Sequence, residues 1–335
     1  MSIVVTGSFA FDYIMQFPGR FADHLLPDQL QHISLSFLVD EMRKVRGGCA
    51  PNIAYSLALL GERPRLMATA GQDGAEYRDW LTARGVDTSL LRIYDDVFTA
   101  SFFVSTDRDQ SQIASFYTGA MARARELSFY DLDGRVEVAI ISPNDPLAMD
   151  RYARECRELG IAYIYDPGQQ VARVEGQELA RGLTGAHILI LNEYEYGILQ
   201  KKTGLTQDRL LERVDTIVVT RREKGSTILR RQAEAIHVPP ARPRATYDPT
   251  GVGDAYRAGL IKGLVRGYPW EVTGRLASLA AVWVLEHPGP QPEPYSRQEF
   301  VQRYRENFGE ASQLADLLTG QPSVTAHPLH HVERP

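Results

Sequence analysis

Five short runs of apolar residues punctuate the chain: Ile3-Val4-Val5, Val138-Ala139-Ile140-Ile141, Ala162-Tyr163-Ile164-Tyr165, Ile188-Leu189-Ile190-Leu191 and Thr216-Ile217-Val218-Val219. Each is continuous and rich in β-branched, aliphatic or aromatic residues, the pattern of a strand buried on both faces. Most are separated by helix-length amphipathic segments such as Leu147 to Gly160. Alternating strands and helices imply a mostly parallel sheet covered by helices. Ligands of such sheets gather beyond the carboxyl ends of the strands. There the chain places Ser8 and Asp12, Asn144-Asp145, Asp166, Asn192-Glu193 and Thr220.

Two regions, Tyr13 to Val45 and Phe98 to Gly119, replace this alternation with period-two patterning and no long helix between. They read as an antiparallel excursion from the main sheet. In FFVSTDRDQSQIASFY, a hairpin turning around Asp109 sets Phe102 and Phe116 equally far from the turn, opposite one another on one face. The pair is either a clamp for a planar ligand or an aromatic cross-strand contact in a small core or dimer interface.

Composition narrows the partners. A chain of 335 residues has ample length to bury a core, as one large α/β domain or two smaller ones. A net charge of -5 without a basic block gives no electrostatic case for nucleic acid or a membrane surface, which favours small molecules. Cys49 and Cys156 form no CxxC pair, which argues against a disulfide framework and a zinc site. The start, MSIVVTGSFAFD, lacks a secretory pattern, and no stretch has the run of about 18 apolar residues a membrane helix needs, so the expected location is cytoplasmic. Gln321 to Pro335, rich in Pro and His, reads as a mobile tail, with His330-His331 a poor metal site.

The stretch TYDPTGVGDAYRAG, Thr246 to Gly259, sets Gly251-Val252-Gly253-Asp254 at the start of an apolar, helix-like run. Glycines let backbone approach a ligand, and the first amides of a helix are unsatisfied donors that attract anions. The partial positive charge of the terminus also stabilises an ionised Asp. A carboxylate beside an anion cradle suits phosphoryl transfer; an Asx turn with an N-cap is the structural alternative. No G-x-x-x-x-G-K-[ST] sequence is present, which argues against a P-loop.

Asp248-Pro249-Thr250-Gly251-Val252-Gly253-Asp254-Ala255-Tyr256 resembles the carboxyl-terminal signature of the ribokinase (PfkB-type) family of carbohydrate and nucleoside kinases. Gly47-Gly48-Cys49-Ala50-Pro51-Asn52-Ile53-Ala54 is similar to the family's amino-terminal Gly-Gly signature, and Asn192-Glu193-Tyr194-Glu195 to its Asn-x-x-Glu element. Within the family, GSFAFDYIMQFPGRF, HISLSFLVD, QIASFYTGAM and DPGQQVAR resemble adenosine kinases of the actinobacterial type.

The resemblance implies a ribokinase-like three-layer α/β/α sandwich with a small β-sheet lid. The kinase domain would span residues 1–320, with lid segments at about 13–45 and 98–119 and the tail at 321–335. It implies transfer of the ATP γ-phosphoryl to the 5'-hydroxyl of adenosine, with Asp254 as general base and Gly251, Val252 and Gly253 as anion hole. Asp12 would bind the ribose hydroxyls with help from Gly48 and Asn52, while Ser8, Ser36, Phe102, Phe116, Gln169 and Gln170 surround the nucleoside; on this ground the clamp reading of the Phe pair gains. Asn192, Thr220, Lys224, Gly225 and Gly253 would contact ATP. Glu195 would act on Mg2+ through water, and Asp248 would help hold K+. A homodimer through the lid is expected, because pairing with a second copy covers an exposed edge. The alternatives are a kinase for ribose, fructose, inosine or another small alcohol, and a non-catalytic nucleotide-binding regulator.

Two positions depart from the family pattern. Family members often carry Thr-x-Gly-x-x-Gly in the ATP loop, whereas this chain has Thr220-Arg221-Arg222-Glu223-Lys224-Gly225, so a positive φ at the lost glycine would strain Arg222. Pro249, Val252 and Tyr256 replace the commoner Thr, Ala and Phe, and none of these changes removes a catalytic atom.

Overall fold

The computed structural model describes residues 2–25, 31, 34–310 and 312–319; the expected tail at 321–335, with His330-His331, lies outside them. The strands are β1 (Ile3–Thr6), β2 (Ala10–Gln16), β3 (Glu41–Gly47), β4 (Arg65–Met67), β5 (Thr69–Gly71), β6 (Arg92–Tyr94), β7 (Ala100–Thr106), β8 (Gln112–Tyr117), β9 (Val138–Ile141), β10 (Ala162–Tyr165), β11 (Ile188–Asn192), β12 (Thr216–Thr220), β13 (Ser226–Arg230) and β14 (Ile236–Val238). The helices that matter below are α1 (Cys49–Leu59), α2 (Ala75–Thr82), α3 (Pro146–Glu158), α4 (Gly176–Leu183), α5 (Glu193–Thr203), α6 (Gln207–Leu211), α7 (Val252–Arg266), α8 (Trp270–Leu285) and α9 (Arg297–Phe308).

Eight strands form the main sheet in the order β14-β13-β12-β11-β10-β9-β1-β4. The pairs from β12 to β4 are parallel, and β13 and β14 add an antiparallel edge. All five apolar runs named above are strands of this sheet. Their continuity has a physical cause, because alternate residues feed two separate cores. Ile3, Val5, Ile140, Ile164, Ile188 and Val218 pack under α1, α2, α7 and α8. Val4, Ala139, Tyr163, Leu189, Ile217 and Val219 face α3, α4, α5 and α6. The result is a three-layer α/β/α sandwich.

The period-two regions form a second sheet of four strands, ordered β3-β2-β7-β8. Its β2–β3 and β7–β8 pairs are antiparallel and β2–β7 is parallel. This sheet projects from the strand ends where the candidate residues gather, since β2 follows β1 after only Gly7, Ser8 and Phe9.

α7 and α8 pack unusually closely. A Cβ on Gly259 would come within 2.5 Å of Ala277 Cα, and one on Gly263 within 2.4 Å of Thr273 Oγ1. Glycines four apart lie on one helix face and remove the side chains that would hold the helices apart.

Candidate active site

α7 starts on Gly251, whose φ of +78° falls in the left-handed region and whose Cβ position lies 2.4 Å from Pro290 Cβ, so only glycine fits. Gly251 is therefore the N-cap, and Asp254 is not: its carboxylate makes no capping bond. The Asx-turn and N-cap alternative fails at this point. Asp254 Oδ2 instead accepts a hydrogen bond from Asn52 Nδ2 at 2.9 Å, across the groove between α7 and α1. Asn52 Oδ1 accepts from Gln291 Nε2 at 2.9 Å, Gln291 also donates to the Tyr77 hydroxyl, and Tyr77 donates to the Gly47 carbonyl at 3.1 Å.

Burial pushes the Asp254 carboxyl up to about 7. The Asn52 hydrogen bond and the Arg257 guanidinium pull it down, whereas Asp166 and Asp12 push it up. Desolvation thus outweighs the helix-terminus stabilisation of the anion that the sequence suggested.

Across the small sheet, Val45, Asp12, Phe102 and Phe116 stand in one register row, on β3, β2, β7 and β8 respectively. Residues paired in register share a face, so the Asp12 carboxylate and both rings project together. A Cβ on Gly47 would lie 2.5 Å from Asp12 Oδ2, so the glycine leaves room for that carboxylate. Gly48 has φ +91° and lies against the Ser8 carbonyl, and Ser8 Oγ accepts from the Cys49 amide at 3.1 Å. Burial, and next the neighbouring Asp248, raise the Asp12 carboxyl to about 6.

The remaining nucleoside candidates differ in what they can offer. Ser36 and Gln169 are exposed, whereas Gln170 is buried and donates its Nε2 to the Asn144 carbonyl at 2.7 Å. Asn52, expected to help with ribose, directs its amide donor to Asp254 and its carbonyl to Gln291.

At the far side, Asn192 and Thr220 are register partners at the ends of β11 and β12. Asn192 and Glu195 form a capping box: Asn192 Oδ1 accepts from the Glu195 amide at 2.8 Å and Glu195 Oε2 from the Asn192 amide at 2.9 Å. Glu193 pairs with Arg221 at 3.5 Å. The loop after Thr220 makes a short 3-10 turn, Arg222–Lys224, with Lys224 exposed. Arg222 adopts φ +52°, the left-handed conformation its glycine-replacing position demanded. Gly225, at φ +81°, lies against the Val238 carbonyl, 2.1 Å from where a Cβ would stand.

A family model for pfkB family carbohydrate kinases matches residues 9–296, taking in both the Gly-Gly segment and the Asp254 turn. The chain belongs to the pfkB family. A nucleoside kinase of Methanothermobacter thermautotrophicus is 31% identical over 92% of this chain and 96% of its own. The structure of a Burkholderia thailandensis nucleoside kinase in complex with inosine matches with a TM-score of 0.82 and 36% identity, over 92% of this chain and 98% of that one. A ribokinase of Thermotoga maritima shares the fold, with a TM-score of 0.75 at 19% identity. The protein is therefore a kinase that transfers a phosphoryl group to an alcohol acceptor.

For this kinase the ion candidates fare differently. Glu195 has one oxygen tied into the capping box and the other outside it, and burial raises its carboxyl. A single such carboxylate suits a hydrated magnesium ion carried on phosphates, because magnesium keeps waters and takes few direct protein ligands. No group of three or more His, Cys, Asp or Glu side chains suited to a metal converges among the described residues. Asp248, the potassium candidate, accepts the Thr250 amide on Oδ1 at 2.8 Å and the Gly289 amide on Oδ2 at 3.2 Å, one bond on each oxygen, which leaves lone pairs free for a cation.

Four residues that sequence reasoning did not assign to the site join it: Gln291 and Tyr77, behind Asn52, and the Asp166–Arg257 pair, beside Asp254. Asp166 carried a signal as a polar residue at a strand end. Gln291 and Tyr77 carried none, since neither lies in a motif.

Proposed function

We propose that this kinase transfers the γ-phosphoryl group of ATP to the 5'-hydroxyl of a purine nucleoside, with adenosine as acceptor, giving AMP and ADP. The observation that carries the reading is the register row in which Asp12, Phe102 and Phe116 share one face. A carboxylate accepts hydrogen bonds from ribose hydroxyls, and two aromatic rings beside it on the same face offer stacking surface to a base. Asp12 is also close enough to Asp254 to raise its pKa, which supports one bound molecule reaching both.

In this reading Asp254 takes the hydroxyl proton, and the amides of Gly251, Val252 and Gly253 stabilise charge on the transferring group. Ser8, Ser36, Gly48, Gln169 and Gln170 line the nucleoside pocket, with Asn52 holding the Asp254 carboxylate. ATP lies along Asn192, Thr220, Lys224 and Gly225. Magnesium would neutralise phosphate charge when bound, with Glu195 holding one of its waters. The four-stranded sheet acts as the lid of a kinase domain spanning 1–320. We place the enzyme in the cytoplasm, in keeping with ATP use and the free thiols of Cys49 and Cys156.

Inosine is the competing acceptor, because it occupies the Burkholderia thailandensis relative. ADP release with adenosine, inosine, ribose and fructose decides between them. Stacking is worth roughly 0.5–1.5 kcal/mol for aromatic pairs, so Phe102→Leu and Phe116→Leu should each weaken nucleoside binding by up to about tenfold. They should leave ribose turnover unchanged. Ribose as best substrate, with kinetics indifferent to both changes, would replace the nucleoside reading by a sugar-kinase one; no ADP release with any acceptor would favour a nucleotide-binding regulator.

A further inference from the structure

We propose that Arg257, held by Asp166, is a positioning residue for phosphoryl transfer: it fastens the first turn of α7 to the end of β10 and sets a fixed positive charge beside Asp254. This deepens the reading of Asp254 as general base and rests on it.

The geometry is a three-way tie. Arg257 Nη1 donates to the Gly253 carbonyl at 3.0 Å, while Nε and Nη2 fork the two oxygens of Asp166, with Nη2 to Oδ1 at 2.5 Å. Asp166 follows β10 directly, and its own amide donates to the Ile141 carbonyl of β9 at 2.9 Å. The guanidinium therefore links the central strands to the turn carrying the anion-hole amides. Its grip on Gly253 matters because a peptide unit is planar, with N–H opposite to C=O. Holding the Gly253 carbonyl on one side fixes the direction of the Asp254 N–H on the other, the peptide unit that joins the anion-hole amides to the base.

Stability alone does not account for the pair. Asp166 is 1% and Arg257 8% exposed. A buried ion pair of this kind rarely outperforms well-packed apolar residues, because desolvating both charges offsets their attraction. Lys could not replace the fork, since an ammonium is a point charge without two parallel donors.

The electrostatic consequence follows from the groups around Asp254. Asp12 faces it from β2, Cys49 and Asn52 from α1, Tyr77 from α2, and Asp166 from the end of β10. The two other carboxylates raise its pKa, and Arg257 is the cation that opposes them. Without that cation the base would hold its proton to higher pH. Without Asp166 only Asp12 would oppose the cation, and the base would lose its proton at lower pH.

The test is the pH profile of kcat/KM, whose acidic limb reports the base of the free enzyme. It uses ATP with the better of adenosine and inosine. Arg257→Gln should lower kcat at neutral pH by about tenfold or more, keep nucleoside KM within about threefold, and move the acidic limb to higher pH. Asp166→Asn should move the limb to lower pH. Arg257→Lys should leave the limb near its wild-type position while lowering the plateau, because charge is kept and the fork is lost. A purely structural role would not produce shifts of opposite sign, so limbs that stay fixed or move together overturn the proposal. If circular dichroism shows Arg257→Gln unfolded, the Asp166→Asn limb decides alone, and a limb that does not fall overturns it. Failure of the underlying reading looks different: Asp254→Asn would then keep the wild-type limb.

Discussion

Asp254 sits under opposed influences, and their balance makes it usable. A fully exposed carboxylate at a helix start would be a weak base, whereas burial brings this one to about 7, where it can both accept a proton and be ionised at neutral pH. Asp254→Asn keeps the shape and removes the base, so turnover should fall by about two orders of magnitude or more with nucleoside affinity retained. Steady-state kinetics with calorimetric binding checks both halves. The same shift carries a stability cost with a definite sign. Folded values of about 7 for Asp254 and about 6 for Asp12 lie above the ordinary 3.8. The folded state therefore binds more protons, and this contribution is fully present below the ordinary value and is lost as pH rises through 6 and 7. Asp254→Asn should accordingly gain more thermal stability over wild type at about pH 8 than at about pH 4. Arg222 is a second residue under tension, a side chain at φ +52° where a left-handed conformation costs roughly 1–2 kcal/mol. Arg222→Gly relieves that strain against a smaller entropic loss of about 0.5–1 kcal/mol. Its unfolding midpoint in urea should rise, and a fall would show that the guanidinium itself stabilises the loop.

At the level of elements, α7 carries the proposed base and starts at the proposed anion-hole amides, so the proposed chemistry depends on how firmly this helix is held. The glycine face against α8 holds it. Gly259→Ala improves helix propensity by roughly 0.5–1 kcal/mol. The new Cβ, however, would stand 2.5 Å from Ala277 Cα, a backbone atom that cannot swing away. Overpacking of this kind costs typically about 1–3 kcal/mol, so destabilisation should win. Urea unfolding measures the loss, and kcat should fall with it because α7 moves; unchanged kcat would show that the turn is positioned independently of α8. The hairpin of β7 and β8 was the element most legible from sequence, since counting outward from Asp109 pairs Phe102 with Phe116. Strands β5, β6, β13 and β14 were not legible as runs. β5 and β6 have three residues each, and β13 and β14 form an antiparallel edge without the continuous apolar stretch that marks a doubly covered strand.

For the molecule as a whole, the two faces of the small sheet divide the labour. The face with Asp12, Phe102 and Phe116 is the one on which the proposed nucleoside would lie. Register puts Met42, Phe103 and Ile113 on the other face, with exposures of 62%, 39% and 43%. Such a patch on a sheet with open edges favours pairing with a second copy. Sedimentation should give a dimer, and Ile113→Asp should shift it towards monomer while nucleoside KM changes little; a wild-type monomer at high concentration argues against the pairing. By itself the sequence determined the parallel sheet, the hairpin and the candidate motifs, because strand patterning and glycine turns are local properties readable over a few residues. It also marked Arg222 as a position that a positive φ would strain, and the structure supplied that φ of +52°. Tertiary structure alone decided what each side chain is bonded to. Asn52 and Asp254 are 202 positions apart, and Asp166 and Arg257 are 91 apart. No local pattern encodes such pairs. The same holds for the height of the Asp254 pKa, since desolvation depends on how four distant segments close around one carboxylate.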